Sequence, residues 1–242
     1  MNPPKHTVSV REIRFSSEKF QLKGYLHLPP AITPPFVIGS HGLFSDKDSP
    51  KQIALAQHCN QRRMAYFRFD HRGCGESKAP LNEITSLEAR RIDLKAAAKI
   101  LSSRDDLGTQ MGLFGSSMGG SVCLSAACEL SASAVVTWAA PIRSTDLIPQ
   151  PDPATAGSKS VFEKHPFDIS SVITGLGNIL IVHGGADQTV PISHAQEILA
   201  RASDPKKLVV FSRSDHRMSH PADQQTFVQQ SAMWFQTYLT EY

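Results

Sequence analysis

Six short, mostly apolar runs alternate along the chain with stretches of helical spacing, and this alternation restricts the fold more than any other feature. Apolar runs of this length are typical of parallel strands that are buried on both faces. The runs lie at 36–39, 65–69, 111–114, 134–138, 179–182 and 208–211, and the helical stretches at 50–63, 86–102, 118–130, 192–202 and 221–238. The repeated strand–helix–strand order predicts an α/β fold with helices on both faces of a parallel sheet.

Two segments of alternating polarity, 8–15 and 20–28, come before these runs and predict an antiparallel pair of strands. Together the segments predict a mostly parallel sheet of about eight strands. A chain of 242 residues is within the range of one hydrophobic core, so we expect residues 1–242 to form a single domain.

One segment, from 141 to about 174, departs from the alternation because it is rich in proline and glycine and has no clear periodicity. We expect a short cap that crosses the carboxyl edge of the sheet. Its apolar residues are candidates either for packing beneath this cap or for lining a pocket. They are Ile148, Val161, Phe162 and Phe167.

The charge balance and the apolar segments exclude several classes of partner. Lysine and arginine number 25 against 22 acidic residues, a net charge of +3, which argues against nucleic acid as the main partner. No segment approaches the 18 or more apolar residues of a membrane span, and the first residues do not resemble a signal peptide. We therefore expect a cytoplasmic protein without a membrane span. The sequence makes no prediction about its oligomeric state.

Histidine is frequent, with ten residues, but the spacing of these histidines does not indicate a metal site. The chain contains no HExxH motif and no cluster of cysteine and histidine at ligand spacing. The four cysteines form no CxxC pair, and we expect free thiols. The prediction is an activity that requires neither a metal nor another cofactor.

The strongest chemical signal is GSSMG at 115–119, a G-x-S-x-G motif between an apolar run and a helical stretch. A serine at a sharp strand-to-helix turn needs an unfavourable backbone conformation, and the residues two before and two after it must lack side chains. Gly115 and Gly119 meet this requirement, so Ser117 is the candidate nucleophile. A helix N-terminus also favours negative charge, and the Met118 N–H is therefore a candidate oxyanion donor.

A second oxyanion donor has to come from another loop. The segment SHGL at 40–43 directly follows an apolar run, and Gly42 permits a tight turn that aims the Leu43 N–H inward. We predict the Leu43 N–H as this donor. His41 is interpreted as a residue that holds the loop together and not as the base, because the base follows the nucleophile in this chain order.

An acid and a base follow the nucleophile in the order expected for a triad. Asp187 comes just after the run at 179–182, and His216 follows the last run. All three residues fall at carboxyl ends of predicted strands, which lie along one edge of an open α/β sheet. His220 is the alternative base, although a position before Pro221 also suits a helix cap. The alternatives to Asp187 as the acid are Asp146 and Asp215.

With these motifs in view, the chain resembles the α/β-hydrolases, in the serine hydrolase branch that includes small carboxylesterases and monoacylglycerol-lipase-like enzymes. The resemblance also rests on HG at 41–42, on DHRGCGES at 70–77, which matches the family loop D-x-R-G-x-G-x-S, and on GGAD at 184–187. It implies that 70–77 is scaffold, with Arg72 shaping the loop. Ser116 departs from this branch, in which histidine usually precedes the nucleophile.

The predicted activity is cleavage of carboxylic esters with small to medium acyl groups, through an acyl-enzyme on Ser117. The cap is short and its charges are mixed, so it lacks the acidic bias expected for holding a free amino terminus. A thioesterase or an aminopeptidase-like hydrolase would use the same triad, and a ligand-binding protein with little turnover would share the fold. Haloalkane cleavage is disfavoured because the residue at the turn is serine and not aspartate.

Overall fold

Eight strands form a single sheet in the computed structural model, which describes residues 8–77, 84–148 and 157–240. The strands are β1 Ser9–Ser17, β2 Phe20–Leu28, β3 Phe36–Ser40, β4 Ala65–Phe69, β5 Met111–Ser116, β6 Ala134–Trp138, β7 Ile179–Gly184 and β8 Lys206–Phe211. Their order across the sheet is β1-β2-β4-β3-β5-β6-β7-β8.

Only the first edge of the sheet is antiparallel. Strand β2 runs antiparallel to both β1 and β4, and every pair from β4 through β8 is parallel. The parallel strands β3 to β7 are buried along nearly their whole length, which explains why they are continuously apolar in the sequence. The predicted α/β class, the mostly parallel sheet and the antiparallel pair at its start are confirmed.

Helices cover both faces of this sheet. In the described ranges they are α1 Pro50–Gln61, α2 Leu87–Ser102, α3 Met118–Ala126, α4 Gly157–Lys164, α5 Ser193–Arg201 and α6 Pro221–Thr240. On one face α1 and α6 pack together over a core that includes Phe114, Trp138 and Phe227, and the other face carries α2, α3 and α5. No helix in the described ranges is both long and apolar enough to cross a bilayer.

Most predicted boundaries lie within two residues of the observed ones, with two exceptions. The stretch 118–130 is helical only to Ala126, and an irregular turn that includes Ser131, at φ 51°, follows it. The segment 141–174, expected to lack periodicity, contains α4 and two short 3-10 turns in the residues outside 149–156. A helix of eight residues is too short to give a clear periodic signal, so the proline and glycine content dominated the prediction.

The turn from β5 to α3 brings backbone groups together so closely that side chains are excluded. A Cβ on Gly115 would lie 2.3 Å from the carbonyl oxygen of Gly119, and a Cβ on Gly119 would lie 2.2 Å from that of Ser40. Ser117, between them, has φ 53° and ψ −126°, a conformation that costs a residue with a Cβ about 1–3 kcal/mol. The sharp strand-to-helix turn predicted for GSSMG is therefore present, with its strain at the serine.

Because this strain depends on a Cβ, Ser117→Gly should stabilise the protein. Relief of about 1–3 kcal/mol, less about 0.5–1 kcal/mol for the added freedom of the unfolded chain, predicts a change between roughly 0 and 2.5 kcal/mol, with a gain of about 1 kcal/mol in the free energy of unfolding at the middle of these ranges. Ser117→Ala is the matched control, since alanine keeps the Cβ and should leave the stability near that of wild type. Urea denaturation of the three proteins measures both changes, and equal stability of the glycine and alanine variants would contradict the strain.

Candidate active site

Ser117, His216 and Asp187 lie in one line of hydrogen bonds at the carboxyl edge of the sheet. The distance from Ser117 Oγ to His216 Nε2 is 3.1 Å, and the distance from His216 Nδ1 to Asp187 Oδ2 is 2.8 Å. An ionised carboxylate only accepts hydrogen bonds, so Nδ1 carries the imidazole proton and Nε2 is free to accept from the serine hydroxyl. The three residues predicted from distant parts of the sequence are therefore brought together in the predicted order.

The side chain of Asp187 is fully buried, and hydrogen bonds stabilise its charged form. Its Oδ1 accepts from the backbone N–H groups of Thr189, at 2.8 Å, and Val190, at 2.9 Å. Burial raises the pKa of this carboxyl, but the hydrogen bond and charge of His216 and the two backbone donors outweigh burial and lower the pKa below its usual value. Asp187 is therefore an anion at neutral pH.

Two glycines bring the acid loop and the base loop together. A Cβ on Gly184 would lie 2.3 Å from the carbonyl oxygen of Ser214, and a Cβ on Gly185 would lie 2.7 Å from that of Ser212. The loop after β7 can approach the loop after β8 only where side chains are absent. The GG pair just ahead of Asp187 thus has a physical role in presenting the carboxylate to the histidine.

The alternative acids and base predicted from the sequence have other partners. His220 is exposed, and its Nδ1 is 3.7 Å from Asp223. Asp146 accepts from Arg143, and Asp215 accepts from the N–H and hydroxyl of Ser219. The geometry therefore favours Asp187 and His216 over each of these alternatives.

The loop that carries Leu43 lies against the serine. A Cβ on Gly42 would be 3.5 Å from the Cβ of Ser117, so the absence of a side chain leaves the space beside the hydroxyl open. Leu43 and Met118 are both buried, and their side chains pack with Val161 of α4 in one cluster. The residues predicted to supply the two oxyanion donors are thus neighbours, and α4 covers them.

His41 is buried, and both of its ring nitrogens are occupied. Nδ1 donates to the Gly42 carbonyl at 2.8 Å, and Nε2 accepts from the backbone N–H of His71 at 3.1 Å. Burial and the nearby Arg90 charge hold the pKa of His41 well below its usual value, so the ring is neutral. This geometry agrees with a role in holding the loop and leaves no nitrogen free to act as a base.

A buried arginine binds the backbone of the loop at 40–43. The guanidinium of Arg90, on α2, donates to the carbonyl oxygens of His41 at 3.1 Å, Gly42 at 3.2 Å and Leu43 at 3.0 Å. In a trans peptide the C=O and N–H point in opposite directions, so a Gly42 carbonyl bound to Arg90 turns the Leu43 N–H away from the arginine. Arg90 and His41 therefore fix the orientation of the peptide between Gly42 and Leu43.

A second serine–histidine–aspartate alignment lies deeper in the molecule. His71 Nε2 is 2.8 Å from Ser40 Oγ, and His71 Nδ1 is 3.5 Å from Asp93 Oδ2. All three side chains are fully buried, which excludes substrate from them. Arg72, expected to shape the loop at 70–77, donates to Asp93 through its backbone N–H and its guanidinium. This buried network is scaffold beneath the candidate site.

A cavity of about 840 Å³ opens beside Ser117 and His216, within the size range of small-molecule sites. Of the apolar residues of the predicted cap, Ile148 and Phe162 line the cavity. Val161 instead packs beneath the cap against Leu43 and Met118, and Phe167 lies against the ring of Phe162. The described residues contain no group of three or more histidine, cysteine or acidic side chains that could hold a metal ion.

Sequence reasoning did not find Arg90, Lys51 or Gln52. Arg90 stands in an ordinary helical stretch, and only its full burial in the folded protein marks it. Lys51 and Gln52 follow the proline that begins α1, and both line the cavity. A lysine and a glutamine in the first turn of a helix usually face solvent, so no local signal indicated a role.

Solved structures share this fold over nearly the whole chain. An esterase from Pyrococcus furiosus aligns with a TM-score of 0.80 at 17% identity, covering 96% of this chain and 91% of the other. Est1E from Butyrivibrio proteoclasticus, solved with ferulic acid, aligns at 0.78 and 16% identity, covering 95% and 100%. The esterase domain of a Rhodothermus marinus protein aligns at 0.71 and 22% identity, covering 96% and 99%.

Two relatives found by sequence are distant, with about a quarter of the aligned residues identical. The mitochondrial palmitoyl-protein thioesterase ABHD10 of Bos taurus is 26% identical over 224 residues, covering 80% of this chain and 71% of the relative. Rv2307c of Mycobacterium tuberculosis is 24% identical over 183 residues and covers 75% of this chain. The chain spans 63% of the length of that relative.

Residues 35–164, more than half of the chain, match the family model described as serine aminopeptidase, S33. This range contains GSSMG at 115–119, the loop at 70–77 and the candidate oxyanion loop at 40–43. The eight-stranded sheet and the solved structures that share it agree with the match. The chain therefore belongs to the serine aminopeptidase S33 (Hydrolase_4) family, in the serine hydrolase branch of the α/β-hydrolase superfamily.

Proposed function

We propose that the protein is a serine hydrolase that cleaves carboxylic esters of small to medium acyl groups through an acyl-enzyme on Ser117. The observation that carries the proposal is the continuous line from Ser117 Oγ through His216 to the buried carboxylate of Asp187, at 3.1 and 2.8 Å, beside an open cavity. This arrangement activates a hydroxyl at neutral pH without a metal or other cofactor.

In the first half of the reaction, Ser117 Oγ attacks the ester carbonyl while its proton moves to His216 Nε2. The carbonyl oxygen becomes an oxyanion, which accepts from the N–H groups of Leu43 and Met118. The intermediate collapses when the bond to the alcohol oxygen breaks and His216 gives its proton to that oxygen. The products of this half are the free alcohol and an ester of Ser117 with the acyl group.

In the second half, water attacks the acyl-enzyme. His216 Nε2 takes a proton from the water, and the bond between the acyl carbon and Ser117 Oγ breaks as His216 returns a proton to Oγ. The carboxylic acid leaves. Asp187 remains an anion throughout, keeps Nδ1 of the imidazole protonated and stabilises the imidazolium that forms in each half.

A thioesterase is the second candidate, and it is favoured by the similarity to a palmitoyl-protein thioesterase over 80% of this chain. The same residues would carry out the same steps, with a thiol in place of the alcohol as the leaving group. The cytoplasmic location and the single-domain organisation expected from the sequence remain predictions alongside either activity.

Labelling by a fluorophosphonate tests the proposed nucleophile. Wild type should be labelled covalently and should hydrolyse a p-nitrophenyl acyl-ester series with a preferred chain length. Ser117→Ala should lose the label and at least about 10³-fold in kcat, because both halves of the reaction pass through Oγ. Ser116→Ala is the matched control one residue away and should retain both.

Mass spectrometry of the labelled peptide and initial rates provide the two measurements. A folded wild type that takes no label would contradict the proposal and favour a ligand-binding protein of this fold. Matched oxygen and thio esters of the same acyl group, compared by kcat/KM, separate the esterase from the thioesterase.

Arg90 is proposed as a positioning residue for the oxyanion loop. Arg90 reaches the three carbonyl oxygens from two nitrogens of its rigid guanidinium, whereas lysine has all its donors on one nitrogen. In Arg90→Lys the peptide before Leu43 should therefore lose its fixed orientation. We expect kcat to fall roughly 10- to 100-fold with little change in KM, because the oxyanion bonds are stronger in the transition state than with bound ester.

Arg91→Lys is the matched control on the same helix, since Arg91 is partly exposed and pairs with Glu88 and Glu129. It should leave kcat unchanged. Thermal melts of both variants show whether the fold is retained. A folded Arg90→Lys enzyme with raised KM and unchanged kcat would exclude the positioning role.

A further inference from the structure

Two residues in the first turn of α1, Lys51 and Gln52, line the cavity and carry side-chain N–H groups that lack an acceptor among the described residues. Gln52 is buried, its Oε1 accepts from the hydroxyl of Tyr66, and its Nε2 has no hydrogen-bond partner among the described residues. Lys51 Nζ donates to the backbone carbonyl of Arg217 at 2.9 Å, which uses one of its three N–H groups. These two residues are called the α1 donors below.

Both donors are withdrawn from water without full compensation. A buried N–H group that lacks an acceptor is destabilising, and a half-buried ammonium with one hydrogen bond also loses part of its hydration. Lys51 Nζ lies 5.8 Å from the centre of the Trp138 ring, a contact that supplies no acceptor oxygen. The cavity wall therefore favours a ligand that brings acceptor oxygens, and a negative charge, to the α1 donors.

The rest of the wall defines the remainder of such a ligand. Apolar side chains of Phe44, Leu147, Ile148 and Phe162 line the same cavity as Ser117, and they suit a hydrocarbon portion between the reacting ester and the charged end. Among the described residues, the other charged side chains of the wall are Glu163 and Arg217, which have opposite signs and already have interaction partners. Their charges offset each other, so Lys51 supplies the excess positive charge of this wall.

We propose, building on the serine hydrolase function above, that the substrate is an ester with a carboxylate in its acyl or alcohol part and that Lys51 and Gln52 bind this carboxylate. Lys51 gives the charge, and the Gln52 amide gives a neutral N–H donor beside it. Ser117 attacks the ester carbonyl of the same molecule. A carboxylate fits because it brings both a negative charge for the Lys51 ammonium and acceptor oxygens for the N–H groups of the two residues.

Lys51 has a structural role that the test must separate from binding. Its bond to the Arg217 carbonyl, together with the 2.8 Å bond from Trp138 Nε1 to the His216 carbonyl, holds the loop of the candidate base. Loss of this support would slow the hydrolysis of every ester by the same factor. The informative quantity is therefore the ratio of kcat/KM for a carboxylate ester to that for its neutral amide isostere.

The experiment uses two pairs of isosteric esters. The acyl-side pair is monomethyl glutarate and methyl glutaramate, and the alcohol-side pair is the butyrate ester of glycolate and that of glycolamide. Wild type should prefer the carboxylate of at least one pair by about tenfold or more in kcat/KM, as expected for a charge-assisted hydrogen bond. The pair that shows the preference identifies the side of the substrate that carries the charge.

Three variants assign the preference to Lys51. Lys51→Met should reduce the ratio to near one, and Lys51→Arg should keep most of it because it keeps the charge. Lys207→Met removes one positive charge at an exposed position of β8 and should leave the ratio unchanged. A ratio near one in wild type, or an equal loss of both rates in Lys51→Met, would overturn the proposed subsite.

The ratio should also fall as the pH rises. Burial lowers the pKa of Lys51 to about 8, an effect that the charge of Asp215 opposes and that of Arg217 reinforces. The charge of Lys51 is thus present below pH 8 and lost above it. A pH effect on the hydrolytic steps themselves changes both members of a pair equally and cancels in the ratio, so a ratio that stays constant from pH 6.5 to 9.5 also counts against Lys51.

The outcomes separate this proposal from the one on which it rests. Hydrolysis of the neutral amide esters without any preference for the carboxylates overturns the subsite and leaves the serine hydrolase standing. Labelling of Ser117 without hydrolysis of any of the four esters also overturns the proposed substrate class. Failure of both labelling and hydrolysis overturns the two proposals together.

Discussion

The approach of three backbone segments around two glycines is the constraint on which the site depends. Gly119 lies so close to the end of β3 that its Cα faces the Ser40 carbonyl, and Gly115 lies equally close to the start of α3. Strand β5, helix α3 and the loop after β3 are therefore fixed relative to one another by hard contacts, which change little with solvent or pH. Ser117 takes its strained conformation from the same contacts, and the candidate oxyanion loop is held beside it.

Beneath this contact lies a buried network of polar side chains that hydrogen-bond to one another. Asp93 lies beside His71 and accepts from Arg72 and from the hydroxyl of Ser17; burial raises the pKa of this carboxyl, but these contacts outweigh burial and lower the pKa. His71 lies between this carboxylate and Ser40, and burial lowers its pKa to about 4, so the ring is neutral. A network of this kind fixes directions as well as positions, because hydrogen bonds are directional. The loop after β3 thus rests on oriented hydrogen bonds where a purely apolar core would allow it to rotate.

The parts of the site that could be predicted from sequence are those specified by local chain geometry. Ser117 needs glycines at fixed offsets, and Asp187 and His216 follow apolar runs whose carboxyl ends must share an edge, so motif and topology together were sufficient to bring them close. Arg90 could not be found in this way, since its three carbonyl partners lie more than forty residues earlier and only burial distinguishes it from Arg91 beside it. The α1 donors were missed for the same reason. Their role depends on which cavity the first turn of α1 faces, and the amino-acid pattern of that turn carries no information about this.

Helix α4 shows why the cap and the candidate chemistry cannot be treated as separate parts. Val161 packs against the side chains of Leu43 and Met118, while the adjacent Phe162 lines the cavity. One turn of helix therefore contacts the two residues proposed to hold the oxyanion and also shapes the space for substrate. A shift of α4 that enlarged the cavity would also loosen the packing of both donor residues, because an apolar cluster of this size offers few alternative contacts. With Leu43 and Met118 in the role proposed for them, Val161 couples substrate size to oxyanion geometry, and a substitution in α4 that changes acyl preference is expected to lower kcat.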